Sequence, residues 1–238
     1  MKTFLLYSIL LFTLNINAQE VDIPDPNFKN NLVNNTSINA NGDSEIQVSE
    51  ASAFAGEIYC NSQNISDLTG IEAFTALTQL NCAFNSLTSL DVSYNTALTQ
   101  LSCENNPLTS LDVSNNTALD VLICFDSEQL ECLNITNGNN TVMTLYLFDN
   151  PNLTCIEVDD ENYSTANWTG DNIDSQIYFS ENCNNDCSNI THINELNATP
   201  KKLMRIVDLL GRKTPFKPNT TLLFIYEDGS VERKMVLK

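Results

Sequence analysis

Histidine is nearly absent from this chain: His192 is the only one. Before residue 192, therefore, a Ser-His-Asp or Cys-His constellation has no base to build on, and paired His/Cys zinc spacings do not occur. Basic residues are equally scarce. Residues 19–191 carry 25 acids against one base, Lys29. Such a surface repels a polyanion, so nucleic acid is excluded as a partner. Glycine numbers only seven, and no Gly-rich loop is present to cradle a phosphate. Long apolar runs are missing too. Phe4–Leu14 is too short to span a bilayer as a permanent helix, and no other run is long enough. Two carboxylates suffice for glycoside hydrolysis, but nothing singles out a pair among the many here. The expectation is a protein that is not an enzyme, with a carboxylate-based glycosidase as the remaining catalytic alternative.

What the chain has is a repeat. LTQLNCAFNSLTSLDVSYNTA at 77–97 is followed at once by LTQLSCENNPLTSLDVSNNTA at 98–118. Sixteen of the 21 positions are identical, and the differences fall at 81/102, 83/104, 84/105, 86/107 and 94/115. Self-similarity at this period is the signature of a solenoid. Leu80 and Cys82 alternate with polar neighbours, which predicts a short strand with one face inward. Leu87, Leu90 and Val92 do the same in a second arm, and the intervening Asn85 turns the chain. One such coil cannot bury its apolar face alone, so neighbours must stack on it. The unit L-x-x-L-x-C-x-x-N-x-L resembles the leucine-rich repeat, with Cys in the third apolar slot. With drift, the pattern extends up to Ile58 and Cys60 and down to Ile156 and Val158, giving five coils over residues 57–160.

The flanks read differently. Residues 1–18 have a basic start at Lys2, an apolar segment and a small residue at Ala18, which is the layout of a secretory signal peptide. Residues 19–56 form an N-terminal cap, with a short helix opened by Pro26 and carrying Phe28, Leu32 and Val33 on one face. Within it, residues 38–51 resemble an EF-hand or dockerin-type calcium loop. The resemblance assigns Asn39, Asn41 and Asp43 to positions one, three and five, the Glu45 carbonyl to seven and Glu50 to twelve, and implies a structural calcium as the only cofactor. Asn at position one and Ser44 at position six depart from that pattern. The other reading is a polar, self-bonded Asx-rich turn before a helix capped by Ser49.

Residues 161–191 are expected to cap the far end, with Trp168, Tyr178 and Phe179 covering the last coil. Cys60, Cys82, Cys103 and Cys124 fall in the inward slot as small apolar core residues. Cys155 is expected to pair with Cys183. Cys132 with Cys187 would complete the set, although four cysteines allow three pairings.

At residue 192 the composition changes sign: residues 192–238 carry nine bases and five acids. Strands are expected at 203–209, 222–226 and 231–237, the last two joined by the 227–230 turn. The segments IVDLLGR and IYEDGSVERK, with Asp208, Gly211, Tyr226, Asp228 and Gly229, resemble the type A C-terminal sorting domain of type IX secretion substrates. That resemblance implies a small β-sandwich at 192–238 read by an outer-membrane translocon. It also implies a product that is secreted or held at the outer surface of a Gram-negative cell.

Alternation along the first arm points Val121, Ile123, Phe125, Tyr146 and Phe148 outward, while the preceding coils present Gln79, Asn81, Ala83, Gln100, Ser102 and Glu104. Contiguous apolar side chains on an exposed sheet mark a partner site, unless a loop or the cap folds over them as core. A rigid face offered to a protein or polysaccharide is the favoured function; a surface spacer without a specific ligand is the second. The second arm carries Asp91, Asp112, Asn134 and Glu157 outward, as a solvated acidic face.

Overall fold

Leucine at every 21st residue brings like side chains into line only if the strands stack in register, and they do. The computed structural model describes residues 19–170, 172–183 and 187, together with the backbone of strands at 203–207, 220–226 and 231–236. The signal peptide expected at 1–18 lies outside the described residues. Nine short strands follow in the first part of the chain: β1 (Glu57–Tyr59), β2 (Gln79–Asn81), β3 (Gln100–Ser102), β4 (Ser110–Asp112), β5 (Val121–Ile123), β6 (Cys132–Asn134), β7 (Thr144–Tyr146), β8 (Cys155–Glu157) and β9 (Tyr178–Ser180). They form two parallel sheets, β1-β2-β3-β5-β7 from the first arm and β4-β6-β8-β9 from the second. Leu80 pairs with Leu101, Leu101 with Leu122, and Leu122 with Leu145. The result is a leucine-rich-repeat-like parallel β-solenoid.

The interior is a set of ladders. Leu77, Leu80, Cys82, Leu87 and Val92 are buried, and so are Leu98, Leu101, Cys103, Leu108 and Val113 one coil on. Each buried Leu contributes about 1.5–3 kcal/mol of transfer free energy, but only because the next coil covers it.

Backbone groups at the bends are met by asparagine. Asn85 Nδ2 donates to the carbonyls of Cys60, Cys82 and Ala83, while its Oδ1 accepts from Gln63 N and Ile65 N. Asn106 repeats this with Cys82, Cys103, Glu104 and the Leu87 amide. A second asparagine ladder, Asn95 to Asn116 to Asn137, closes the other bend; Asn116 Nδ2 donates to Val92 and Asn95 carbonyls. One side chain thus satisfies several polar groups that would otherwise be buried unpaired.

Helix α1 (Pro26–Val33) seals the start, burying Phe28 and Leu32. Its Asn27 and Asn31 donate to the carbonyls of Asn64 and Tyr59, blunting the open edge of β1. Asp25 caps the helix at Asn27 N and Phe28 N and ties it to the first coil through Ser66 N and Oγ. Burial alone would raise its pKa, but these hydrogen bonds, led by that from Ser66 N, outweigh it and hold the carboxyl below the usual range. A depressed native pKa contributes stability that is present above the unfolded value and lost as pH falls through the native one. Asp25→Ala is expected to cost about 2 kcal/mol at neutral pH and to flatten stability against pH below about 4. Urea melts across that range check it.

Helix α2 (Val48–Ala53) starts two residues earlier than the Ser49 cap expected from sequence would place it. Its N-cap is Gln47, whose amide donates to Glu50 Oε2, so Ser49 lies inside the helix. Gln47 already has extended backbone and its amide is pinned by Glu50; a serine cap two residues on has nothing left to satisfy.

The far end differs from the expected cap. Helix α3 (Glu161–Asn167) is capped by Asp160, and the chain then completes a sixth, partial coil. Ile173 bridges to Leu147, and β9 pairs with β8, setting Phe179 opposite Ile156. Phe179 therefore lies within a strand, edge-to-face with Trp168 at 5.4 Å, while Tyr178 is exposed. Here the asparagine's work is divided. The Asp174 carboxylate accepts from Asp149 N and Asn150 N, and Gln176 Nε2 donates to Asn150 and Leu153 carbonyls. Two disulfides pin this end, Cys155–Cys183 and Cys132–Cys187.

A second compact unit spans His192–Lys238. Its strands β10 (Leu203–Val207), β11 (Thr220–Tyr226) and β12 (Val231–Val236) form an antiparallel sheet in that order. Tyr226 ends β11; Asp208, Gly211, Asp228 and Gly229 lie outside the described residues.

Candidate ligand-binding face

Three outward rows cross the first-arm sheet. Gln79, Gln100, Val121 and Thr144 are in register, as are Asn81, Ser102, Ile123 and Tyr146. A third row lies just past the strand ends: Phe84 N donates to Glu104 O, Asn105 N to Phe125 O and Asp126 N to Phe148 O, aligning Ala83, Glu104, Phe125 and Phe148. The structure therefore brings Val121, Ile123, Phe125, Tyr146 and Phe148 together. Each is half-buried, and none belongs to the interior cluster. The Phe125 and Phe148 rings stack with centroids 4.5 Å apart and planes 9° from parallel.

Three residues expected to be open to solvent are not. Ala83 is 1%, Ser102 3% and Glu104 8% exposed. Ala83 and Ser102 are shorter than their ladder neighbours and are shaded by them. Glu104 is the informative case. Its Oε2 is buried without a hydrogen-bond partner among the described residues, and loss of hydration pushes its carboxyl pKa up. Sequence reasoning missed this residue as a site, yet one signal was available. Position 83/104 is one of only five differences between the duplicated coils, and it exchanges alanine for a charge.

The turn after this row needs a left-handed residue in every coil. Ser62, Asn105, Asp126 and Asp149 adopt φ between 50° and 57°, which short polar side chains tolerate; Phe84 adopts φ 55° as well. Phe84 is also 49% exposed.

Beneath the face runs the thiol ladder of Cys60, Cys82, Cys103 and Cys124, all buried and unpaired by disulfide. Cys82 and Cys103 reach the carbonyls of the next coil at 3.5 and 3.7 Å. Burial pushes the Cys60 thiol up to about 12 and raises the Cys82 thiol well above the ordinary thiol range. A hydrogen bond between Cys103 and Cys124 holds the Cys103 thiol up and draws the Cys124 thiol down; all four sulfurs are walled off in the interior, where they pack.

In the cap, the 38–51 loop turns its oxygens toward its own amides. Asn39 Oδ1 accepts from Gly42 N, Asn41 Oδ1 from Asp43 N, and Asp43 Oδ1 from Glu45 N. Glu50 accepts from Ala40 N, Asn41 N and Gln47 N. Asn41 Nδ2 sits between Asp43 Oδ2 and Gln47 Oε1. A calcium here would have to displace that amide. Among the described residues no cluster of three or more His, Cys, Asp or Glu is arranged to hold a metal. On the second arm, Asp91, Asp112 and Asn134 each accept from the amide two residues on, so these outward side chains, two of them carboxylates, are turn formers.

No family model matches the chain. Over 37 residues it is 51% identical to internalin J of Listeria monocytogenes serotype 4b, a stretch that is 16% of this chain and 4% of that protein. Among solved structures, it is similar to the functional domain of InlJ from Listeria monocytogenes, which includes a cysteine ladder. That match has 28% identity and a TM-score of 0.42, over 59% of this chain and 38% of that one. Internalin C2 from the same species matches at 15% identity and a TM-score of 0.42, over 63% of this chain and 84% of the other. The chain thus spans a small fraction of the curated relative and well under half of the InlJ domain. Among the described residues no helix is long and apolar enough to cross a membrane.

Proposed function

We propose that this chain is a secreted or cell-surface binding protein whose first-arm sheet presents a pre-formed face to a protein or polysaccharide partner. The observation that supports this best is the half-exposed apolar patch of Val121, Ile123, Phe125, Tyr146 and Phe148 on a sheet whose preceding coils present mainly polar side chains. Interface energy concentrates in aromatic anchors held rigidly, and a stacked pair on a strand end is held in that way. The segment similarity to internalin J agrees with a surface role. Phe125→Ala with Phe148→Ala is expected to abolish capture of the partner while lowering Tm by no more than a few degrees, because neither ring lies in the interior. A collapse of Tm would reassign the pair to structure and remove the binding reading.

The export route is part of the same proposal: removal of residues 1–18, followed by passage through a type IX translocon that reads residues 192–238. The two disulfides suit an oxidising compartment. Intact mass of the extracellular product is expected to show a mature start after Ala18 and loss of the 192–238 unit. Retention of that unit on the released protein would argue against the sorting role.

A further inference from the structure

Three features meet at the end of β3. Glu104 is 8% exposed and its Oε2 has no partner among the described residues. The strand alternation that turns Leu101 and Cys103 inward puts it on the outward face, in line with the stacked Phe125 and Phe148. On its other side lies Phe84, whose amide donates to the Glu104 carbonyl. Phe84 combines wide exposure with a left-handed backbone that costs a bulky side chain more than the Ser, Asn and Asp found in the equivalent turns. An exposed aromatic on a left-handed backbone, bonded through its amide to the residue that carries a buried, unmatched carboxylate, is poor design for stability alone.

Among the described side chains no cation is placed against Glu104. The one base in residues 19–191, Lys29, is paired with Glu45 in the N-terminal cap. We propose that Glu104, between Phe84 and the Phe125–Phe148 pair, is the recognition point for an arginine side chain of a protein partner. A guanidinium brings planar paired donors that a carboxylate accepts, and its flat face stacks on aromatic rings. Aromatic faces also attract the charge itself. The acid excess of residues 19–191 draws a basic segment toward the face before contact. A neutral sugar would offer hydroxyl donors but would leave the charge unmatched. The inference rests on this face being the binding surface and goes further by stating the partner's chemistry.

The test titrates the mature chain with acetyl-Gly-Arg-Gly-amide, with its citrulline counterpart and with cellohexaose. Expected is saturable binding of the arginine peptide at least tenfold tighter than the citrulline one, with the Glu104 carboxyl 13C resonance moving only for arginine. Glu104→Gln should lose that preference with Tm unchanged or raised. Phe84→Asn should raise Tm while weakening the arginine peptide several-fold. Equal affinity for arginine and citrulline, no saturable arginine binding, or full binding by Glu104→Gln would overturn the arginine site. Cellohexaose binding lost in Phe148→Ala, with no arginine preference, would overturn it while leaving the face as a binding surface. If neither probe binds and Phe125→Ala with Phe148→Ala collapses Tm, both proposals fall.

Discussion

Asn106→Ala should lower the unfolding free energy by about 4 kcal/mol. The side chain is buried, and its amide and carbonyl together serve the carbonyls of Cys82, Cys103 and Glu104 and the Leu87 amide. Truncation leaves the Cys103 carbonyl and the Leu87 amide unmet in a dry bend, each costing about 1–3 kcal/mol, while the Cys82 and Glu104 carbonyls keep donors from Asn85 Nδ2 and Phe84 N; the expected loss is therefore the middle of the sum for two groups. Leucine at the same position restores volume but not donors, so it should be nearly as damaging. Ser127 occupies the equivalent place one coil on. Its Oγ makes only long contacts, 3.4 Å to Phe125 O and 3.7 Å to Cys124 Sγ. Ser127→Ala should therefore cost less than about 1 kcal/mol. Equilibrium urea unfolding of both variants decides the matter: equal losses would show that the ladder bonds are not what hold the bends.

The second large effect is expected at the disulfides. Cys155–Cys183 closes 28 residues and Cys132–Cys187 closes 55. Removing the first by Cys155→Ala with Cys183→Ala should cost about 3 kcal/mol, and removing the second slightly more, from the chain entropy that each bridge withholds from the unfolded state. In a stack where each coil touches only its neighbours, that loss is felt locally first. The partial coil at Ile173–Ser180 should then open before the rest, exposing the 161–183 segment to protease while the Leu80–Leu101–Leu122 ladder stays closed. A single cooperative loss of all coils, with no early cleavage in 161–183, would contradict this order.

The solenoid could be read from sequence because its signal is redundant: Leu80, Cys82, Asn85, Leu87, Leu90 and Val92 each recur, so one substitution cannot hide the period. Which four cysteines form bridges was legible for a related reason, since the ladder positions claim the other four; how those four pair was not fixed, because they allow three connectivities. The sixth, partial coil was hidden because it reaches the same geometry with different atoms. Asp174 accepts where an asparagine carbonyl would, and Gln176 donates where its amide would, so the L-x-x-L-x-C-x-x-N string is absent although its bonds are made. The α2 start was misplaced for a local reason. Serine is the commoner cap, but Gln47 and Glu50 already close that turn. The apolar patch followed from alternation alone. Burial of Glu104 did not, because it depends on what stands beside it in the neighbouring coils, which a one-dimensional pattern does not record.

The near-duplicate turns at 77–97 and 98–118 bear on how this molecule changes over generations. Since helix α1 seals one end and a disulfide-pinned partial coil finishes the described stack at the other, a whole turn gained or lost between them lengthens or shortens the presented surface without disturbing either end. Copying errors of one period are thus conformationally silent, and drift at 83/104 and 84/105 then gives each new turn its own chemistry.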